Sequence, residues 1–235
     1  MKAVLLAGHK KSGKTSLALG LIEYFKSRNL TVSVLKTSHH PFEVSNRDTD
    51  QFSQAANAVA GLAPHATHLI WGHQKSPLDL LPLLQSDILL IEGGKQWRFA
   101  PRVILPRDDQ EADELSQGLA IAQWGQGGKS GIPKYAEIEP LARRILEQGF
   151  LLPGLDCSAC GFETCGELAQ AIVSGQEDTA ACQALSSEVQ IVANGQPLAL
   201  NPFVRKLISG TLSGMLSSLK GSTPGPVTIY LEHGS

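Results

Sequence analysis

The sequence of 235 residues predicts an α/β fold, a mostly parallel sheet with flanking helices, followed by a small α+β module that carries cysteines. Three observations predict this fold. Short apolar runs alternate with helical patterns from residue 2 to about residue 149, as expected of strands joined by crossover helices. A glycine-rich loop separates the first such run from the first helix. Residues 145–204 hold seven acidic and no basic residues, and this abrupt change in charge indicates a second module.

The elements of the first module follow from periodicity. Lys2–Ala7 is a short apolar run and is predicted to be a strand, whereas apolar residues recur at helical spacing over Ser16–Ser27. Strands that alternate with helices form a parallel sheet with right-handed crossovers, and ligands bind at the carboxyl ends of such strands. Further strands are predicted at 31–40, 67–72, 86–94, 98–106 and 118–125, and further helices at 47–61, 76–85 and 135–149.

The loop between the first strand and helix carries a phosphate-binding motif. Gly8–Thr15 match G-x-x-x-x-G-K-[ST], in which the glycines let backbone N–H groups point at phosphate oxygens. The lysine places a charge on the terminal phosphates, the hydroxyl that follows can ligate Mg²⁺, and the helix N-terminus adds its dipole. The fold is therefore predicted to be of the P-loop NTPase type, with nucleotide contacts from Gly8, Ser12, Gly13, Lys14, Thr15 and Ser16.

Polar residues follow the predicted strands at the same edge of the sheet. Glu92 ends the apolar run "ILLI" and precedes two glycines, and Asp48 follows the second strand. Both acids are candidates to hold Mg²⁺ or to position a nucleophile, and together with Lys14 they are the candidate catalytic residues. The alternatives are a solvated acid for Glu92 and a helix N-cap for Asp48.

Other polar residues of the first module allow two interpretations. The residues that end the second strand could contact phosphate or a metal, or could be ordinary turn residues: Lys36, His39 and His40. A basic run after Glu92 could bind a second anionic ligand, or could form a solvated face: Lys95, Arg98, Arg102 and Arg107. Three other histidines have no element that would bring them together, and are predicted to lie at the surface: His65, His68 and His73.

Four segments together resemble the molybdopterin-guanine dinucleotide biosynthesis protein B (MobB) family over roughly residues 1–150. They are "GHKKSGKTSL", "VLKTSHH", "RDTDQFSQAA" and "LLIEGGK", in the order and spacing of that family. The resemblance implies a GTP-binding P-loop protein that forms homodimers and acts in attaching a nucleotide to the molybdenum cofactor. It places nucleotide and Mg²⁺ at Gly13, Lys14 and Thr15, with Asp48 and Glu92 near the metal.

One segment departs from the family pattern. After the strand at 118–125 the chain reads "QGGKSGIP", where the family more often has an acidic residue at the strand end. The sequence also lacks an Asn-Lys-x-Asp guanine signature. Both GTP and ATP therefore remain candidate nucleotides.

The cysteines are confined to one short stretch. Cys157, Cys160, Cys165 and Cys182 form the pattern C-x2-C-x4-C-x16-C, and the rest of the chain has no cysteine. Two disulfides would suit a secreted protein better, zinc modules usually pair two close C-x-x-C units, and four unrelated thiols would not cluster. A [4Fe–4S] cluster is favoured, because three closely spaced cysteines can wrap one face of the cube while a return segment supplies the fourth.

This pattern, with a glycine after the second cysteine, resembles the small [4Fe–4S] domain of an electron-transport complex and that of corrinoid iron–sulfur proteins. The resemblance covers some thirty residues and implies that the four cysteines bind one cluster. A helix is predicted at 166–175 between the third and fourth cysteines. The predicted domains are 1–152 for nucleotide, 153–186 for iron–sulfur and 187–235 for a small α+β tail.

The tail shows simpler signals. Residues 188–200 predict a hairpin with Asn194-Gly195 in its turn, and Asn201 is predicted to cap a helix that runs from Pro202 to about residue 220. A last strand is predicted at 226–232.

Composition excludes some functions. The net charge of −2 gives no overall attraction to nucleic acid, and no apolar run approaches the roughly 18 residues of a membrane span. The N-terminus is not a signal peptide, so a cytoplasmic protein is expected. The favoured function is a GTP-binding accessory protein of molybdenum or tungsten cofactor guanylylation, at most a slow GTPase. Its partner would be a nucleotidyltransferase or an apo-molybdoenzyme. The alternatives are an ATP-driven iron–sulfur electron donor and a non-catalytic adaptor with a structural metal site.

Overall fold

The computed structural model describes residues 1–38, 47–185, 189, 191–193, 196–198, 200, 202–221, 227 and 229. Its strands are β1 (Lys2–Gly8), β2 (Val32–Lys36), β3 (Ala58–Ala63), β4 (Ala66–Trp71), β5 (Ile88–Glu92), β6 (Arg102–Leu105), β7 (Ala120–Trp124), β8 (Lys134–Tyr135), β9 (Ile191–Ala193) and β10 (Gln196–Leu198). Its α-helices are α1 (Lys14–Ser27), α2 (Arg47–Ala55), α3 (Pro77–Leu80), α4 (Asp109–Ser116), α5 (Ile138–Gln148), α6 (Cys165–Val173) and α7 (Pro202–Ser217).

Six strands form one parallel sheet in the order β2-β5-β1-β6-β7-β8. The central strand β1 is buried over six of its seven residues, because both faces of the sheet are covered. Helices α1 and α5 cover one face, with Phe25 and Ile145 in its core, and α4 and α6 cover the other, with Leu115 and Leu168. The predicted α/β fold with a mostly parallel sheet is confirmed.

The predicted helix over 47–61 is wrong in its second half. Helix α2 ends at Ala55, and Ala58–Ala63 forms β3, which pairs antiparallel with β4 in a separate two-stranded sheet. The alanine-rich composition suits a helix, but Gly61 weakens one, and pairing with β4 gives this segment a full ladder of backbone hydrogen bonds. The strand predicted at 67–72 is therefore present, but outside the parallel sheet.

Two other helical segments differ from prediction. The helix expected over 76–85 is divided into α3 and a 3₁₀ turn, Leu81–Leu83, which contains Pro82. Helix α4 was not predicted, although its N-cap Asp108 accepts a hydrogen bond from the Glu111 N–H at 2.8 Å. The short edge strand β8 was also not predicted.

The C-terminal part contains the predicted helix near the cysteines, observed as α6, and the predicted hairpin, observed as the antiparallel pair β9–β10. Leu168 and Ala169 of α6 share a buried cluster with Leu115 and Leu119, so the cysteine-bearing helix packs on the first module. Helix α7 was predicted as well. The hairpin turn Asn194-Gly195, the cap Asn201 and nearly all of the strand predicted at 226–232 lie outside the described residues.

Among the residues that the structure describes, no helix has the length and apolar character needed to cross a membrane.

Candidate nucleotide and cysteine sites

The glycine-rich loop joins β1 to α1 at the carboxyl edge of the sheet. Gly13 is the N-cap of α1 with φ 88°, a left-handed conformation that favours glycine, and no side chain caps the helix. A Cβ atom on Gly8 would overlap the hydroxyl of Ser12. The loop is therefore compact, and the N–H groups of the first turn of α1 donate to no capping side chain. Free N–H groups at a helix N-terminus are suited to binding an anion.

The lysine of the motif lies over this loop. Lys14 Nζ donates hydrogen bonds to the carbonyl oxygens of Gly8 and His9, at 3.0 and 2.6 Å. Burial lowers the pKa of Lys14 from its ordinary value, the Glu92 carboxylate opposes this shift, and the nearby charges of Lys95 and Lys36 add to it. A bound phosphate would favour the charged ammonium group, because the opposite charge would offset the cost of burial.

Glu92, at the end of β5, contacts the start of α1 and the end of β2. Thr15 Oγ1 donates to Glu92 Oε1 at 3.1 Å, and Lys36 Nζ lies 3.5 Å from Glu92 Oε2. The Thr37 N–H donates to the carbonyl oxygen of Glu92 at 2.9 Å, which joins the end of β2 to the end of β5. The Glu92 side chain is only 13% exposed, so it is not a solvated acid. The contact brings two side-chain oxygen atoms together, and oxygen is the ligand atom that Mg²⁺ prefers.

The structure describes other candidate residues of this site only in part. Asp48 is the second residue of α2, and its side chain is not among the described ones. His39 and His40 lie outside the described residues. The three histidines predicted to lie at the surface are exposed: His65, His68 and His73.

Arg102, a member of the basic run, is fully buried and cannot belong to a solvated face. Its guanidinium group donates to the carbonyl oxygens of Leu115, Lys95 and Trp97 at 2.7, 2.6 and 3.1 Å. Burial, with a smaller effect of Arg98, lowers its pKa to about 10. Arg102 is therefore a structural residue that holds the segment after β5, and it is not available to a second anionic ligand.

Arg107, another member, is paired with an acid of the next helix. Its Nε donates to Glu111 Oε1 at 2.7 Å, its Nη2 contacts the same oxygen, and its backbone N–H donates to the other. Of the basic run, only Lys95 and Arg98 remain as possible contacts for an anion.

The chain around the first two cysteines is an irregular loop. Asp156 and Ser158, on either side of Cys157, have φ 45° and 55°, which non-glycine residues rarely adopt. The Asp156 carboxylate accepts a hydrogen bond from the N–H of Cys165 at 2.7 Å and so fixes this loop to the start of α6. That helix start is stabilised by a capping box between Thr164 and Glu167.

All four cysteines line one pocket. Cys165 and Cys182 are buried, Cys157 and Cys160 are half-buried, and all four are free thiols. The empty space in the pocket, including its opening to solvent, is about 300 Å³, and its apolar walls include Pro153, Leu155, Phe162 and Leu168. Among the described residues, no three His, Cys, Asp or Glu side chains converge at the spacing of ligands to a single ion.

The chemistry of this pocket fits a metal group held by thiolates. Burial raises the pKa of the Cys165 and Cys182 thiols, so a thiolate is costly here without a cation. Backbone hydrogen bonds from residues 154–156 to Cys165, and from residues 184–185 to Cys182, partly offset this rise in pKa. Amide hydrogen bonds to ligating sulfurs are among the means by which proteins tune iron–sulfur clusters.

One residue near this pocket was not among the sequence candidates. Arg205 of α7 donates to the carbonyl oxygens of Gln183 and Ala184, directly after Cys182. A signal for it does exist in the sequence, because Arg205 is the first basic residue after residues 145–204, which hold none. The segment directly after Cys182 is thus fixed by a cationic side chain from helix α7.

Two family models match the chain. Residues 3–124 match the model described as "Molybdopterin guanine dinucleotide synthesis protein B". Residues 152–184, which contain all four cysteines, match a model described as "Putative Fe-S cluster".

The chain is also similar to two relatives of known description. One, from Methanocaldococcus jannaschii, is a "Putative molybdopterin-guanine dinucleotide biosynthesis adapter protein"; it is 25% identical over 242 residues, which cover 99% of this chain and 97% of the relative. The other, from Haemophilus influenzae, is a molybdopterin-guanine dinucleotide biosynthesis adapter protein; it is 32% identical over 130 residues, which cover 50% of this chain and 71% of the relative.

Solved structures agree with the fold. The crystal structure of Bacillus subtilis MobB superposes with a TM-score of 0.53 at 23% identity, over 64% of this chain and 99% of the other. A second structure of Bacillus subtilis MobB gives a TM-score of 0.51 at the same identity and coverage.

Proposed function

The chain belongs to the molybdopterin guanine dinucleotide synthesis protein B family, and we propose that it binds Mg²⁺-GTP and an iron–sulfur cluster as an accessory protein of molybdenum or tungsten cofactor maturation. It is a molybdopterin guanine dinucleotide biosynthesis adapter of the MobB type with an additional cysteine module. The more specific parts of the proposal are the nucleotide, the metal ion, the type of cluster and the partner.

The nucleotide part is carried by one observation, the contact between Thr15 and Glu92 beside the glycine-rich loop. The backbone of the loop and Lys14 would bind the phosphates, and Thr15 and Glu92, with Asp48, would hold Mg²⁺. Glu92 is held from two sides, by Thr15 and by Lys36, so it can position a metal or water. We expect such a site to bind nucleotide and, at most, to hydrolyse it slowly.

The cluster part is supported by the common pocket of the four cysteines and by the backbone hydrogen bonds to Cys165 and Cys182. Cys157, Cys160, Cys165 and Cys182 would each supply one thiolate to a [4Fe–4S] cluster. A bound cluster would supply either a one-electron centre or a cross-link that orders the loop. The chain contributes amide hydrogen bonds, apolar walls and two half-buried ligands at the opening.

The partner part rests on the relatives. The Methanocaldococcus jannaschii protein matches this chain over nearly its whole length, cysteine segment included, and it is described as an adapter. A cytoplasmic homodimer that hands nucleotide or cofactor to a nucleotidyltransferase or to an apo-molybdoenzyme is consistent with such a role.

The nucleotide proposal is tested by calorimetry with Mg²⁺-GTP and with Mg²⁺-ATP. Lys14→Ala removes the charge over the loop, and we expect it to weaken binding by about 1.5–3 kcal/mol, or roughly 10- to 150-fold. Lys129→Ala is the matched control, because Lys129 pairs with Asp113 at the surface of the same module. Equal affinity of Lys14→Ala and wild type would remove the nucleotide assignment.

One observation favours the alternative function of an ATP-driven electron donor. Cys157 and Cys160 are half-buried at the opening of the pocket, so a cluster there would lie near solvent and within reach of a partner. This alternative requires a reducible cluster whose potential changes with nucleotide, and tighter binding of ATP than of GTP. Redox titration with and without each nucleotide separates the two functions.

A further inference from the structure

One continuous segment, residues 92–99, contacts both candidate sites; it is called the strap below. At its beginning, Glu92 accepts a hydrogen bond from Thr15 Oγ1 at 3.1 Å and lies 3.5 Å from Lys36 Nζ. Its other end, Arg98 and Phe99, lies against the cysteine module. The two candidate sites are therefore joined by eight consecutive residues, in addition to the core that they share.

The end of the strap contacts the chain on both sides of the first three cysteines. The carbonyl oxygen of Phe99 accepts a hydrogen bond from the N–H of Leu152 at 2.8 Å, on the segment that leads into the cysteine loop. The side chain of Arg98 lies against Gly166, the residue after Cys165, so closely that a Cβ there would be 2.9 Å from Arg98 Cβ. A movement of residues 98–99 would therefore reach both ends of that loop.

The strap is held in one conformation by its own contacts. Gly93 and Gly94 adopt φ 92° and 64°, and the Trp97 ring packs so tightly on Gly94 that a side chain there would overlap it. Trp97 in turn stacks on Phe99 at 5.9 Å between ring centres. The buried Arg102 donates to two carbonyl oxygens of the strap, those of Lys95 and Trp97. Because the strap is closely packed, we expect a displacement at Glu92 to be transmitted to Arg98 and Phe99.

Binding at the nucleotide site acts directly on the first residue of the strap. In the structure the Glu92 carboxylate accepts a hydrogen bond from the Thr15 hydroxyl and forms an ion pair with the Lys36 ammonium group. Mg²⁺ and the terminal phosphate would place a divalent cation and several negative oxygens among these groups, and bound cations are often the largest local charges in a site. The interactions of Glu92, and the position it favours, would then differ between the two ligation states.

We propose that the strap couples the two sites, so that Mg²⁺-nucleotide changes the metal affinity of the four cysteines and metal there changes the nucleotide affinity by the same factor. Equality of the two factors is a thermodynamic requirement for any coupling between binding sites. The proposal rests on the proposed function, because it needs both ligands. Arg98 is a positioning residue in it, acting on the cysteine loop through Gly166.

The test measures nucleotide affinity by anaerobic calorimetry on the full chain, once with the cluster loaded and once after removal of the metal under reducing conditions. The ratio of the two dissociation constants is the coupling. Two variants disturb the strap from opposite sides: Arg98→Gln shortens an exposed side chain, and Gly166→Ala adds a methyl group that presses on Arg98 without harming helix propensity. Arg143→Gln is the control, because Arg143 pairs with Glu139 on the surface of α5.

We expect a ratio of about five or more in wild type and in Arg143→Gln, the lower end of typical coupling. The ratio should fall in Arg98→Gln, because the guanidinium contact with Gly166 is lost while the Phe99–Leu152 contact remains, and it should change in Gly166→Ala, with both ligands still bound. A ratio of one in wild type, or an unchanged ratio in both strap variants, overturns the coupling and leaves the proposed function intact. A protein that binds no nucleotide or no cluster overturns both.

Discussion

The candidate nucleotide site and the cysteine site are built in different ways. The glycine-rich loop and Glu92 extend from β1 and β5, two neighbouring strands whose apolar residues are 0–1% exposed. The first two cysteines lie instead on an irregular loop with left-handed residues on both sides of Cys157. The last cysteine follows a 3₁₀ turn, and only Cys165 lies on a helix.

The two sites therefore depend on different interactions for their order. The candidate nucleotide site lies at the edge of a sheet whose core is formed by α1, α4 and α5 as well as α6, so binding should add to a structure already present. Residues 145–204 carry seven acidic and no basic residues, and the loop around Cys157 contains two non-glycine residues in the left-handed conformation, which is unfavourable. This loop is fixed to α6 by the Asp156–Cys165 hydrogen bond, and Arg205 holds the segment after Cys182. Much of the order of the cysteine site should therefore come from metal ligation, as in other small metal domains.

The largest effect is expected from loss of one metal ligand. Cys160→Ala should abolish or destabilise the cluster, because the arc from Cys157 to Cys165 loses its central ligand. Hydrogen exchange should then become fast over residues 153–164, which precede α6, and stay slow over β1 and β5. Slow exchange in both regions of the variant would contradict the difference between the two sites. Ala159→Ser, a small change in the same loop, is the control and should retain iron.

The next effect concerns the contact between the two regions. Leu168 of α6 is fully buried in the cluster that it shares with Leu115 of α4, and Leu168→Ala should lower the free energy of unfolding by about 2–5 kcal/mol. Metal retention should fall as well, because α6 carries Cys165. Leu19→Ala, at a position 58% exposed, should change stability by less than about 0.5 kcal/mol. Chemical denaturation measures the free energy of unfolding of both variants. Equal losses in Leu168→Ala and Leu19→Ala would mean that α6 does not dock on the sheet.

A smaller effect is expected at the start of α6. Thr164→Ala removes the capping box with Glu167 and should lower the free energy of unfolding by about 0.5–2 kcal/mol. Iron should also be lost faster to a chelator, since this cap fixes the turn that begins at Cys165. The control at the other end of the helix is Ser174→Ala, and an identical rate of iron loss in the two variants would refute this role of the cap.

The smallest effect is a pH dependence within the nucleotide-binding region. Hydrogen bonds from Arg107 lower the pKa of Glu111 to about 2 from its usual 4.5. A lowered carboxyl pKa contributes stability above about pH 4.5, and this contribution is lost as pH falls from 4.5 toward 2. Thermal unfolding should therefore lose less stability across this range in Glu111→Gln than in wild type, with Glu114→Gln as control. The same pH dependence of stability in Glu111→Gln and wild type would contradict this prediction.

The two regions also differ in how far the sequence predicts them. The buried strands β1 and β5 are continuous apolar runs, and the motif Gly8–Thr15 lies between the strand and the helix that the sequence predicts on either side of it. Strand β3 was predicted as helix because its local composition favours a helix, and only the pairing with β4 decides otherwise. The sequence also contains a signal for helix α4, which is its N-cap Asp108.

The features that the sequence does not predict depend on contacts between residues far apart in the chain. The burial of Arg102 depends on carbonyl groups of Lys95, Trp97 and Leu115, and no spacing in the sequence indicates that they converge on one guanidinium group. The spacing of the cysteines predicts a common metal, but not that Arg98 and Phe99 from the first module contact the chain on both sides of their loop. Contacts of this kind depend on packing between modules, which local patterns do not encode.

The most direct test of the account, a nucleotide-binding adapter that also carries an iron–sulfur cluster, is metal analysis of protein purified without oxygen. We expect brown protein with about four iron and four sulfide per chain, as four thiolates around one cubane require. Stoichiometric zinc without iron would contradict the cluster, while membership of the MobB family would stand.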